Sequence, residues 1–210
     1  MELTKYGHAC VRVEKNGKVL VVDPGAFTQD PVLDGADAVL ITHEHADHVD
    51  VDRLRAASPE LEIWTCEAVA AQLTEVPAEV RVVREGDAFE TAGFRVRVFG
   101  ESHAKTHPDV PVVQNVGFML DDEVFYPGDA LTVPAVEVPT LLVPTSGPWL
   151  KLPEMIEYLR AVRPARAFST HDILLSDIGL ALVDNWLRQE ADKQHADLRR
   201  LKIGESVTLG

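Results

Sequence analysis

The sequence predicts an α/β protein built on two sheets, each covered by helices on one face. Three observations predict it. Short apolar, β-branched runs recur in both halves of the chain, as strands do. Stretches with helical spacing fall between and after those runs. No repeat, low-complexity segment or linker divides the 210 residues, a length that suits one domain over residues 1–210 or two small lobes sharing a core. The strand count fits two sheets better than one.

Taken in order, "KVLVVDP" (18–24) is a buried strand stopped by Asp-Pro-Gly, and "DAVLIT" (37–42) is a second. A helix is predicted over Val51–Ala57, and another over Glu67–Leu73 after the strand-like "EIWTC". "FRVRVF" (94–99) alternates strictly, placing Phe94, Val96 and Val98 on one face and Arg95 and Arg97 on the other. "VVQNVGFML" and "DEVFYPGD" read as two strands joined at the acidic turn Asp121–Asp122. A strand ends at Val143, and a helix over Pro153–Val162 carries proline in its first turn, where it is tolerated. Ile178, Leu182, Val183, Trp186 and Leu187 form an apolar stripe at helical spacing, read as core, with Ser176 as N-cap. "KQHADLRR" (193–200) reads as a polar connection, with His195 solvated, leading to a last strand at "ESVTL".

Composition excludes several classes. Apolar residues at 46% and charged residues at 26% are an ordinary globular balance. Twenty basic against 34 acidic residues leave a net charge of −14, which argues against a broad nucleic-acid or anionic-membrane surface. A small anionic substrate stays open, because a local metal charge outweighs a diffuse field. Cys10 and Cys66 form neither a disulfide framework nor a CxxC pair and read as free thiols of a reducing cytosol. No secretory leader is visible in "MELTKYGHAC", and no apolar run reaches the roughly 18 residues a membrane span needs. The expectation is a cytoplasmic protein with a small-molecule substrate, no nucleic acid and no membrane. Self-association is left open.

The chemistry concentrates in "ITHEHADHVD" (41–50), directly after an apolar strand. In extended chain His43 and His45 point the same way, whereas a helix would turn them about 200° apart. Converging imidazoles at a strand end are a metal site, and Asp47 and His48 can turn toward a second point. A polar helix cap with solvated histidines is the competing account. It suits one histidine better than three. Other donors must complete the coordination: His103 or His107 in "GESHAKTH", Asp129 in "YPGDAL" and His171 in "AFSTHD", each just past a strand, where α/β proteins place ligands.

HxHxDH, a lone histidine, a Gly-Asp turn and a final histidine, in this order, resemble the metallo-β-lactamase fold superfamily. The likeness runs over some four fifths of the chain, from "GHACVRVE" to "THD". "YGHACVRVE", "VVDPG" and "NVGFMLDDEVFYPGD" are similar to the branch containing L-ascorbate-6-phosphate lactonase-like hydrolases. The resemblance implies a four-layer αββα sandwich of two mixed sheets with a dinuclear centre at their edges. By position it implies that His43, His45 and His103 hold one metal, that Asp47, His48 and His171 hold the other, and that Asp129 bridges them. Asp23 corresponds to an aspartate that braces the metal loop. No cysteine aligns with the metal-binding cysteine of many true lactamases, Tyr126 stands where related sequences often carry histidine before the Gly-Asp turn, and the chain has no room for an added nuclease domain.

The implied activity is hydrolysis of a small ester, lactone or phosphodiester by water activated between two divalent ions, with Asp47 orienting the hydroxide and taking up a proton. The nitrogen and carboxylate donors suit Zn²⁺ and tolerate Mn²⁺ or Fe. Asp23, Glu44 and Asp172 are candidates to fix histidine tautomers. In "LLVPTSGPWLKLPE", Ser146, Trp149 and Lys151 are candidate substrate contacts, as is His107. An RNA-processing hydrolase and a non-hydrolytic oxygen-reactive or sensor scaffold are the alternatives. The first would need a basic groove that the composition does not advertise.

Overall fold

A computed structural model describes residues 1–210. In chain order the elements are β1 Glu2–Lys5, β2 Val11–Lys15, β3 Lys18–Val22, β4 Ala38–Ile41, α1 Val51–Arg55, β5 Glu62–Thr65, α2 Glu67–Gln72, β6 Glu79–Val82, β7 Ala88–Thr91 and β8 Phe94–Phe99. There follow β9 Gly117–Leu120, β10 Val124–Tyr126, β11 Thr140–Pro144, α3 Leu152–Val162, β12 Arg166–Thr170, α4 Asp177–Gln194, β13 Asp197–Arg199 and β14 Ser206–Thr208.

The strands form two seven-stranded sheets, ordered β14-β1-β2-β3-β4-β5-β6 and β13-β12-β11-β10-β9-β8-β7. Each sheet is antiparallel at one end and parallel at the other, with β3 to β6 parallel in the first and β10 to β13 parallel in the second. Strands β3 and β4 are buried almost throughout because they are covered on both faces, which is why they read as continuous Val, Leu and Ile runs. Between the sheets lies a core of 33 residues, in which Leu20, Leu40 and Ile63 of the first sheet meet Phe94, Phe118 and Phe168 of the second. Leu54 of α1 and Val69 of α2 join that core from outside the first sheet. A second cluster packs Met119, Phe125, Leu141 and Val143 against Met155 and Leu159 of α3 and Val183 and Leu187 of α4. The result is the four-layer helix–sheet–sheet–helix sandwich expected.

Differences from the sequence expectations have local causes. Strand β13 occupies part of the stretch read as a polar connection, pairing with β12 while burying a single residue, Leu198. Such an edge strand carries little apolar signal. Within the α4 stripe only Val183 and Leu187 are buried, while Ile178 and Leu182 are 84% and 54% exposed. Helical spacing identifies a face but not how much of it the sheet covers.

Glu190 of α4 is an ionisable residue inside the helical layer, 1% exposed. It accepts from Arg160 Nε and Nη2 of α3, both at 2.9 Å, and from Lys193 Nζ at 2.7 Å. The Arg160 guanidinium, aided by Lys193, holds its carboxyl down at about 2. A depressed carboxyl stabilises the fold fully above its ordinary value of about 4.3 and loses that contribution as pH falls toward 2. Acid titration of unfolding free energy is expected to show a loss of roughly 1–3 kcal/mol across that window, absent in Glu190→Gln. Identical acid slopes for both proteins would contradict it.

Candidate metal centre

The donors gather where strands end. Asp23 follows β3; His43, His45, Asp47 and His48 lie between β4 and α1; His103 follows β8, Asp129 follows β10 and His171 follows β12. These strands point their C-terminal ends at one edge of the sandwich, so both sheets contribute to a single site.

Two groups of donor atoms result, His43, His45, His103 and Asp129 in one, and Asp47, His48, Asp129 and His171 in the other, with all atoms of a group within 4.8 Å of one another. The imidazoles are oriented by their other nitrogens. His48 Nδ1 donates to Asp23 Oδ2 at 2.6 Å, His103 Nδ1 to the Ala104 carbonyl at 2.5 Å and His171 Nδ1 to the Ser146 carbonyl at 2.6 Å. Thr42 Oγ1 donates to Asp23 Oδ2 at 2.7 Å and therefore accepts from His43 Nδ1 at 3.0 Å. In all four the Nε2 lone pair is left for a ligand. His45, the exposed member, offers Nδ1, 3.0 Å from His43 Nε2.

The arrangement fits a metal centre with two donor groups. Nε2 of His48, His103 and His171 and Oδ1 of Asp129 are buried without a hydrogen-bond partner, a costly condition for polar atoms unless something occupies the space between them. Electrostatics point the same way. Burial alone would depress His48 and His171, but Asp129 with Asp23 holds His48 well above its ordinary value, and Asp129 with Asp47 holds His171 up at about 9. Burial would raise Asp129 and Asp47, yet His48 chiefly drives Asp129 well below the usual carboxylate range, and His171 with His8 does the same for Asp47. These carboxylates thus favour the protonated forms of His48 and His171, and a bound metal would take the place of those protons. His43 is pushed well down by its burial and is neutral, ready to ligate.

Asp129 faces both groups. Its Oδ2 lies 3.4 Å from His103 Nε2 and 3.0 Å from His171 Nε2, and its Oδ1 lies 3.1 Å from His48 Nε2. Buried Asn115 clamps the turn that presents it, accepting from Asp129 N at 3.0 Å and donating to the Pro127 carbonyl at 2.8 Å. Gly128 takes φ +63°, and a Cβ there would sit 2.4 Å from Asn115 Oδ1, so the Gly-Asp turn admits no side chain. Gly25 performs the matching service for the histidine loop: a Cβ would stand 2.1 Å from the Asp47 carbonyl.

Of the expected substrate contacts, Trp149 is buried and donates its Nε1–H to Asp129 Oδ2 at 2.9 Å. It holds a ligand in place. Ser146 is half-buried and donates to the His171 carbonyl at 2.6 Å. Lys151 is exposed at the N-cap of α3, where its backbone N donates to Glu154. Asp23 fixes a tautomer as expected, whereas Asp172 pairs with buried Lys5, and Glu44 has no hydrogen bond to a histidine. Sequence reasoning missed Thr42, Asn115 and His8. His8 is wholly buried beside Asp47.

His107 lies on the loop after His103, with its side chain 62% exposed beside Asp109, whereas His103 is 6% exposed within the first group. His103→Ala is expected to lose metal and hydrolytic activity together, and His107→Ala to keep the metal. The opposite pattern on elemental analysis would exchange the two assignments.

A family model described as the β-lactamase superfamily domain matches residues 2–171. Protein Rv0786c of Mycobacterium tuberculosis is 39% identical over 185 residues, covering 84% of this chain and 86% of its own. A UPF0173 metal-dependent hydrolase of Methanocaldococcus jannaschii is 24% identical over 134 residues, 60% of each chain. Among solved structures, the isothiocyanate hydrolase from Delia radicum gut bacteria shares the fold with a TM-score of 0.76, at 19% identity and over 100% of both chains.

Proposed function

This chain belongs to the β-lactamase superfamily, and on that premise we propose that it is a dinuclear hydrolase of a small ester, lactone or phosphodiester. At the coarser level it is a metal-dependent hydrolase of that superfamily. The observation that supports two ions is Asp129, one carboxylate facing both donor groups. Five histidines and two carboxylates without a thiolate favour Zn²⁺ and tolerate Mn²⁺ or Fe. Two such ions would lower the pKa of a shared water and polarise the carbonyl or phosphoryl oxygen under attack.

The chain's own residues supply the rest. Asp47 is the one carboxylate of the site with substantial access to solvent, its side chain 23% exposed. It is ionised, so it can orient the attacking water and receive its proton. Asp23, Thr42 and the Ala104 and Ser146 carbonyls keep the imidazoles aimed during turnover. A small molecule is the proposed substrate, since a net charge of −14 disfavours a polyanion. A reducing, cytoplasmic setting accords with Cys10 and Cys66, both free and buried, and no helix is long and apolar enough to cross a membrane.

Elemental analysis of protein prepared without chelator is expected to give close to two divalent ions per chain. Turnover of generic lactone, ester and phosphodiester substrates should vanish on chelation and return with metal. Less than half an equivalent of metal in total, or hydrolysis indifferent to chelator, would defeat the proposal.

A further inference from the structure

His8, in the loop between β1 and β2, belongs to neither donor group, yet its side chain is fully buried against the second one. Its ring lies 3.9 Å from that of His171 and 5.8 Å from that of Phe27, centroid to centroid, the latter pair nearly perpendicular. The backbone locks it in place: His8 O accepts from His171 N at 2.7 Å, and His8 Nδ1 accepts from Ile173 N at 3.1 Å.

That second bond decides the tautomer. An Nδ1 that accepts a backbone N–H carries no proton, so in the neutral ring the proton sits on Nε2. Nε2–H cannot be a metal ligand. It is buried, has no hydrogen-bond partner, and lies 3.4 Å from Asp47 Oδ2, close enough for a small shift of that side chain to make the bond.

The other nitrogens close to Asp47 are His171 Nε2 at 3.2 Å and His48 Nε2 at 3.7 Å. Both must turn lone pairs to a metal once it is bound, and then neither can donate to the carboxylate. His8 is then the only side chain with a proton left for Asp47.

We propose that His8 is a positioning residue that donates from Nε2 to Asp47 and holds this carboxylate on the second metal. The proposal rests on the dinuclear reading above. Asp47 sits in an irregular loop and is partly exposed, so without the donor it is free to rotate away from the ion. The effect falls on one site only. The first group shares no residue with His8 or Asp47.

The test compares Zn²⁺ affinity, by chelator competition, in wild type, His8→Phe, His8→Ala and His8→Gln. Phenylalanine keeps the ring without the proton, and glutamine restores a donor near the Nε2 position. His8→Phe and His8→Ala are expected to keep the first Zn²⁺ at wild-type affinity and to bind the second roughly 10- to 100-fold more weakly. His8→Gln should recover most of that loss. Second-site affinity unchanged in His8→Phe, or equal weakening in Phe and Gln, would overturn the proposal, as would failure of both Phe and Ala variants to fold, which would assign His8 to packing. A wild-type protein that takes up only one Zn²⁺ would instead remove the dinuclear reading itself.

Discussion

Asp129→Asn is expected to fold, to retain one metal and to lose hydrolysis by about 10³-fold or more, on the order of 4 kcal/mol of transition-state stabilisation. The reason is geometric as well as electrostatic. Trp149 Nε1 can only donate, and it donates to Oδ2. The substituted amide must therefore place its oxygen there and its NH₂ where Oδ1 now stands, 3.1 Å from His48 Nε2. That NH₂ donates to the lone pair His48 needs for metal. On the proposed dinuclear reading, one substitution thus removes a charge shared between two cations and blocks a ligand of the second. The first group keeps His43, His45 and His103. Folding survives because buried His48 keeps its bond to Asp23 and can shed its proton. Two tightly held metals with near-normal turnover in this variant would end the bridging role of Asp129.

How much of this was legible in the sequence follows from how far each signal reaches. The donors of "HEHADH" share one loop, and i, i+2 spacing after a buried strand is a local pattern. His103, Asp129 and His171 each follow an apolar run, so their placement at strand ends could be anticipated one at a time. The bridging and pairing expected of them came from resemblance, not from spacing. The residues that aim the ligands were hidden. Thr42 reads as the end of a strand, Asn115 as one polar residue within the strand-like "VVQNVGFML", and His8 lies more than 160 positions from His171. Nothing local distinguishes a side chain whose partner arrives from the end of another strand. Trp149 shows the same limit in reverse: an aromatic in a Pro- and Gly-rich loop suggests substrate, whereas the tertiary fold turns its N–H onto a ligand. Among the elements, β6, β7 and β13 were faint because edge strands bury few residues, and Ile178 and Leu182 stood out as core because periodicity carries no information about where a sheet stops.

Asp23→Asn is expected to weaken both metals although Asp23 belongs to neither donor group. Asp23 Oδ1 accepts the Thr42 backbone N–H at 2.8 Å, and Oδ2 accepts from Thr42 Oγ1 and His48 Nδ1. A backbone N–H can only donate, so the oxygen of a substituted amide must stay at Oδ1 and its NH₂ must take the place of Oδ2. Facing that NH₂, His48 Nδ1 becomes an acceptor and its proton moves to Nε2, the metal-binding atom. Thr42 Oγ1 likewise becomes an acceptor from the amide, and its own proton turns to His43 Nδ1, 3.0 Å away. His43 is then also protonated on Nε2. A single change therefore inverts the tautomer of one ligand in each group. Loss of an outer partner typically costs roughly 10- to 100-fold in metal affinity, and here the cost should appear at both sites. Thr42→Val separates the two relays: it breaks the path to His43 and leaves the Asp23–His48 bond, so the first metal alone should weaken. Nitrogen-15 spectra of the histidine rings in the metal-free variant would show Nδ1 of His48 and of His43 without a proton and Nε2 carrying one. Unchanged tautomers, or two metals held at wild-type affinity in Asp23→Asn, would contradict the relay.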